Sequence, residues 1–232
     1  MWIMNDQGYA QLRIEVRPSP ETNDHEVRLM ADGESLVDRF STGLIGLDPA
    51  DLLTDSCGLR AENESHRVTV GRCSCGIVGC GSVEVDIRRD HEQVIWTATD
   101  SSQQVRFPAA QYGAEVERAL RDHTWETPER TASRLISQAV DRTVLARRGF
   151  EFSWASGRCR DGMMTASLVL TPGPYQVLVS VPWDGENIDG IVAHFEAILS
   201  QSPETWLNVE CNAQVRGLDP PPIAGPGWNR GK

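Results

Sequence analysis

Apolar residues recur at every second position over 11–17 (Gln-Leu-Arg-Ile-Glu-Val-Arg) and again over 25–31. That is the period of a half-buried strand, and Pro18-Ser19-Pro20 with Asn23-Asp24 between the two runs suits a loop. Residues 33–55 are mixed, except that Asp48-Pro49 opens one capped helical turn, with Asp48 as N-cap and Pro49 at the first helical position. Three alternating runs follow at Arg67–Arg72, Ser82–Arg88 and Gln93–Thr99, which read as a β-meander. A turn at Gly76-Ile77-Val78-Gly79 opposes Cys75 to Cys80, Val70 to Val85 and Val68 to Ile87. A second turn at Arg89–Glu92 opposes Ile87 to Val94, Val85 to Trp96 and Val83 to Ala98. Both turns place Val68, Val70, Val83, Val85, Ile87, Val94 and Trp96 on one face, and Arg67, Thr69, Ser82, Glu84, Asp86 and Arg88 on the other.

The period then lengthens. Phe107–Arg121 reads as a helix with Tyr112, Val116, Ala119 and Leu120 on one side. Thr127-Pro128 starts a second helix, which carries Ala132, Leu135, Ile136, Ala139, Thr143 and Val144 and stops at Arg147-Arg148-Gly149. Strands are expected near 150–155, 163–170 and 175–181. A helix capped by Asp184 follows, with Ile188, Ile191, Val192, Phe195, Ile198 and Leu199 facing inward, and then a short strand around 205–210. The last sixteen residues hold four Gly and four Pro and read as an extended or mobile tail. The pattern predicts an α+β fold with mainly antiparallel sheet and amphipathic helices packed on one side. It divides into a meander subdomain at 1–125, an α+β subdomain at 126–216 opened by the long helix at 127–148, and a tail at 217–232.

Charge narrows the function. With 22 Lys+Arg against 33 Asp+Glu the net charge is −11, which argues against nucleic acid or an anionic membrane surface as partner. No apolar run approaches a membrane span, and Met1–Asp6 lacks the basic and apolar regions of a signal peptide, so a cytoplasmic location is expected. All but one of the basic residues are arginine, as in a genome rich in G and C.

The specific chemistry lies in Gly71-Arg72-Cys73-Ser74-Cys75-Gly76-Ile77-Val78-Gly79-Cys80-Gly81. Strand alternation puts Cys73 and Cys75 on one face, and the turn returns Cys80 beside Cys75, so three thiols converge on the polar side of the meander. Thiolates suit zinc, with the fourth ligand unidentified. His66 and His91 fall at the far end of the hairpin, roughly 20–25 Å away on a strand rise of about 3.3 Å per residue, which leaves only Cys57, Cys159 or Cys211. A Cys75–Cys80 disulfide is geometrically easy but disfavoured in a reducing compartment. The plainest account is three reduced thiols packed under a neighbouring helix.

This turn, with the Val94-Ile95-Trp96 strand and Phe107, Gln111 and Tyr112 at a helix start, resembles a large group of actinobacterial cytoplasmic proteins. The likeness covers residues 25–122 and implies no activity, because none is assigned to the group. No P-loop, dinucleotide fingerprint, nucleophile elbow or zinc-protease helix occurs in the chain. The five histidines are scattered. Glu84/Asp86 and Glu115/Glu117 are of the type that does acid–base work, but Glu84 and Asp86 sit on the polar strand face and read as solvated surface, and Cys159 between Arg158 and Arg160 reads as a turn. No catalytic residue is assigned. The sequence points first to a non-enzymatic, acidic cytoplasmic binding protein, in the manner of an immunity protein inhibiting a basic protein partner and needing no cofactor. The alternative is a zinc- or thiol-dependent protein, an enzyme included, that uses Cys73, Cys75 and Cys80.

Overall fold

The computed structural model describes residues 8–19, 24–54, 56–75, 80–171, 173, 175–213, 219 and 221–231. It is an α+β protein in which the strands among the described residues form three mostly antiparallel sheets, and the chain divides into two compact units, 1–125 and 126–232. Each unit encloses its own apolar core. Among the described residues no helix is long and apolar enough to cross a membrane.

In the first unit, β1 (Leu12–Ser19), β2 (Asp24–Ala31) and β3 (Glu34–Ser35) make a three-stranded antiparallel sheet. A short helix that the mixed pattern did not reveal, α1 (Leu36–Phe40), follows directly because Ser35 caps it, its side chain accepting from the Asp38 N–H. A second, five-stranded sheet runs in the order β4 (Ile45–Gly46), β5 (His66–Arg72), β6 (Ser82–Asp90), β7 (Gln93–Ala98) and β8 (Gln104–Pro108). Between β4 and β5 lies α2 (Pro49–Leu52), capped by Asp48 as its sequence foretells. The helix expected from Phe107 begins two residues later, as α3 (Ala109–Arg121). Phe107 precedes a proline, whose ring disfavours the helical conformation there, so Phe107 and Pro108 end a strand instead.

The meander keeps its expected faces but shifts its pairing, by two residues up to Thr69 and between β6 and β7, and by one residue beyond Thr69. Val68 opposes Val85, Val85 opposes Ala98, and Ile87 opposes Trp96. The β6–β7 turn is tighter than the sequence suggests: Asp90 opposes Gln93, and His91 takes up φ 53° to close it. A shift of two preserves parity, so Val70, Val85, Ile87 and Trp96 are all fully buried while Thr69, Glu84 and Asp86 are only half-buried.

Strand β1 is an edge strand, and α3 protects it. Gln111, Glu115 and Arg118, on successive turns of one helix face, hydrogen-bond its outward backbone. The Gln111 side chain accepts from the Leu12 N–H at 3.1 Å and donates to the Leu12 carbonyl at 2.6 Å. Glu115 accepts from the Ile14 N–H at 2.7 Å, and Arg118 donates to the Ile14 carbonyl at 2.6 Å. Burial pushes the Glu115 carboxyl upward, but its bonds with Arg118 and the Ile14 N–H, with the charges of Arg118 and Arg13, outweigh burial and hold it below the usual value. A depressed carboxyl stabilises the fold above its unfolded pKa, and that contribution is lost as pH falls through the folded one. Glu115→Gln is therefore expected to cost about 1 kcal/mol at neutral pH, solvent screening included, and to flatten the acid limb of stability against pH in urea titrations.

In the second unit, β9 (Phe150–Ala155), β10 (Met163–Leu170), β11 (Tyr175–Pro182), β12 (Val209–Ala213) and β13 (Trp228–Arg230) form a sheet in the order β13-β12-β11-β10-β9. The inward residues Met164, Ala166, Leu168, Val177, Val179 and Val181 pack with Ala132 and Ile136 of α4 (Pro128–Ala139) and with Ile191, Phe195 and Leu199 of α6 (Ile188–Ser200). The long helix expected at 127–148 is broken. α4 stops at Ala139, and the Asp141 side chain accepts from the Thr143 and Val144 N–H groups to cap a separate α5 (Arg142–Arg147). The cap of α6 is Asn187 rather than Asp184, which instead accepts from the Glu186 and Asn187 N–H groups in the preceding turn. In the tail, β13 pairs in parallel with β12, and Trp228 stacks on Trp206 at 6.0 Å between ring centroids. Arg148 closes the C-terminus of α6, donating to the carbonyls of Leu199, Ser200 and Gln201. Arg148→Met removes the charged donor from all three carbonyls, leaving Gln201 only the Trp206 indole N–H at 3.3 Å, and is expected to cost about 2 kcal/mol, read as a lower midpoint in thermal unfolding.

Candidate metal centre

The β5–β6 hairpin is what brings the three cysteines together. Its pairing changes step between Thr69 and Gly71: Thr69 opposes Glu84, whereas Gly71 opposes Val83 and Arg72 opposes Ser82. Val70 is the extra residue of a β-bulge, so the face alternation is offset by one beyond it. Gly71 sits at a close approach of backbone and side chain. A Cβ there would lie 2.8 Å from Val37 Cγ1, and its partner across the sheet is another glycine, Gly46 of β4.

β5 ends at Arg72, and the Cys73 N–H donates to the Gly81 carbonyl at 2.9 Å. The backbone pairing nearest the thiols is thus Cys73 with Gly81, not Cys75 with Cys80. The bulge also removes the expectation that Cys73 continues the face of Thr69. Ser74 and Cys75 lie in a turn, so strand alternation is not what aligns Cys73 with Cys75. The expected turn at Gly76–Gly79 lies outside the described residues.

The convergence itself is present. The Sγ atoms of Cys73, Cys75 and Cys80 all lie within 4.8 Å of one another. Cys75 and Cys80 are exposed and Cys73 is half-buried, so they are not packed beneath a helix, and none of the six cysteines is in a disulfide among the described residues. Hydrogen bonds from Cys75 and then Cys73, with the charges of both sulfurs, push the Cys80 thiol up to about 11.

The other candidates are engaged elsewhere. His66 Nε2 lies 2.7 Å from the Gly58 carbonyl, and the His91 side chain is 94% exposed in the β6–β7 turn. Neither belongs to the thiol group, and among the described residues no other His, Cys, Asp or Glu joins it. Cys57 is buried in the first core, where burial raises its pKa. Cys211 is buried in the second core, and Cys159 lies against the Trp183 carbonyl at 3.8 Å. Glu84 and Asp86 share Arg67 on the polar face, at 4.0 and 3.2 Å, and Glu117 pairs with Arg60 at 3.0 Å. His194 lines a cleft of about 290 Å³ with Val181, Ile198 and Trp206. The bulge at Val70 and the Gly46–Gly71 approach, which set the hairpin in place, had no sequence signal that a reading by periodicity detects. No protein-family model, no curated protein and no solved structure matches this chain.

Proposed function

We propose that the protein binds a thiophilic divalent metal ion, zinc, through Cys73, Cys75 and Cys80. The observation that carries this is the mutual approach of the three Sγ atoms to within 4.8 Å. Zinc–thiolate bonds of about 2.3 Å in a tetrahedral site separate sulfurs by about 3.8 Å, so sulfur shifts of at most about 1 Å complete the geometry. Two of the three thiols are exposed and none belongs to the apolar core, which gives them no packing role. The core of the unit is complete without them, so the ion stiffens one hairpin rather than building the fold. Reduced thiolates also require a reducing compartment, which fits residence in the cytoplasm.

Elemental analysis and competition with a chromophoric zinc chelator test this. One zinc per chain is expected. Cys73→Ser, Cys75→Ser and Cys80→Ser should each weaken binding at least 100-fold, with unchanged circular dichroism. Equal zinc content in the triple serine variant would overturn the reading.

A second reading rests on where the acidity lies. Residues 1–125 hold 21 Asp+Glu against 12 Arg, a charge of −9 out of −11, so the first unit alone is strongly acidic. Such a unit suits electrostatic capture of a basic protein partner, as an inhibitor of the immunity type does. Affinity capture from the native host, followed by association kinetics with the recovered protein, tests it. A basic partner whose on-rate falls steeply with salt is expected, and recovery of this chain alone at every ionic strength would refute it.

A further inference from the structure

We infer that the fourth coordination position of the metal at this site faces solvent and takes a neutral nitrogen donor, an imidazole, from outside the chain; this rests on the zinc reading above. Three ligands come from eight consecutive residues, and the residues between them, Ser74 and Gly76–Gly79, carry no carboxylate, imidazole or thiol. Among the described residues no fourth ligand stands within the group, and Cys75 and Cys80 are exposed, so the ion is reached from water. A tetrahedral ion held by three protein ligands keeps one position for a ligand from solution.

Charge selects what enters there. Three thiolates on a dication leave a net −1, inside a unit whose own charge is −9. A fourth thiolate or a carboxylate would add a further negative charge against that field. A neutral imidazole adds none, and it is a stronger zinc donor than water.

The full chain loaded with Co²⁺ in place of zinc reports both features, because thiolate-to-cobalt charge transfer counts thiolates while the visible d–d bands follow the fourth ligand. Imidazole is expected to shift the d–d bands saturably and reversibly, with the charge-transfer intensity staying at three thiolates. At the same pH, 2-mercaptoethanol should need at least a ten-fold higher concentration for its effect. Sedimentation of the zinc-loaded chain locates the natural donor. A zinc-dependent dimer that imidazole dissociates places the donor on a histidine of a second copy. A monomer with an imidazole-responsive spectrum places it on a free ligand or another protein. Charge-transfer intensity of four thiolates with no response to imidazole would overturn the inference, since a further cysteine of the chain would then close the site. So would half-saturation by mercaptoethanol below imidazole. Absence of any cobalt spectrum would instead remove the metal site itself, and this inference with it.

Discussion

Trp96→Ala is expected to destabilise the first unit by about 3–5 kcal/mol, the largest loss available from one side chain there. Trp96 is fully buried in the middle of the meander, edge-on to Phe107 at 5.8 Å and to Tyr112 at 6.2 Å. Its Nε1–H donates to the Tyr112 hydroxyl at 3.1 Å, and that hydroxyl donates in turn to the Leu59 carbonyl at 2.7 Å. The relay ties sheet, helix α3 and the loop before β5 together through polar atoms that have no access to water. Tyr112→Phe keeps the ring but leaves the Trp96 N–H and the Leu59 carbonyl without that partner, at about 2–4 kcal/mol for two buried groups. Burial also pushes the Tyr112 phenol far above its ordinary value, against a smaller downward pull from Trp96. A group whose folded pKa is raised stabilises fully below its unfolded value, near 10, and that stability is lost as pH rises. Ultraviolet titration of the native chain should accordingly find one of the three tyrosines refusing to ionise until alkaline unfolding, and Tyr112→Phe should remove that delayed step. Simultaneous ionisation of all three would contradict the buried relay.

The faces of the meander were legible in the sequence, and its pairings were not. Which residues turn inward follows from alternation, because Val68, Val70, Val83, Val85, Ile87, Val94 and Trp96 have an apolar reason to share a side. Which residue opposes which depends on turn and bulge, where the differences between alternatives are small. His91 at φ 53° shortens one turn by two residues, and the extra Val70 changes the step of the other hairpin. The break of the helix at Asp141 is of the same kind, since its apolar stripe continues across a residue whose carboxylate prefers to cap. That three cysteines within eight residues of a hairpin would gather was readable from proximity alone. The means by which they gather was not, because the backbone leaves the strand at Arg72 and a bulge resets the faces before it does.

Gly46→Ala is expected to disturb the hairpin from a distance, at about 3 kcal/mol or more of stability. Gly46 opposes Gly71 at the start of the second sheet, directly against β2 of the first. A Cβ on Gly46 would lie 2.0 Å from the Val27 carbonyl oxygen and 2.9 Å from its carbon. Val27 cannot yield, for it is fully buried, paired with Val16, and its N–H donates to the Leu47 carbonyl at 2.8 Å. The clash is backbone against side chain, so no rotamer change relieves it, and β4 must separate from β2. Gly71→Ala makes the informative contrast, because its nearest obstacle is a valine methyl, Val37 Cγ1 at 2.8 Å, and the nearest backbone atom, the Ile45 carbonyl oxygen, is 3.2 Å away rather than 2.0 Å. It should cost about 1–3 kcal/mol, less than its partner. Both substitutions act close to Cys73: Gly71 lies two residues before it, and Gly46 is the residue opposite Gly71. On the proposal of a zinc site, Gly46→Ala should therefore weaken zinc binding as well as stability, while leaving all three thiols in place. Urea unfolding and chelator competition on the same two variants separate these effects, and a Gly46→Ala chain as stable as the parent would show that the two sheets do not meet at this glycine.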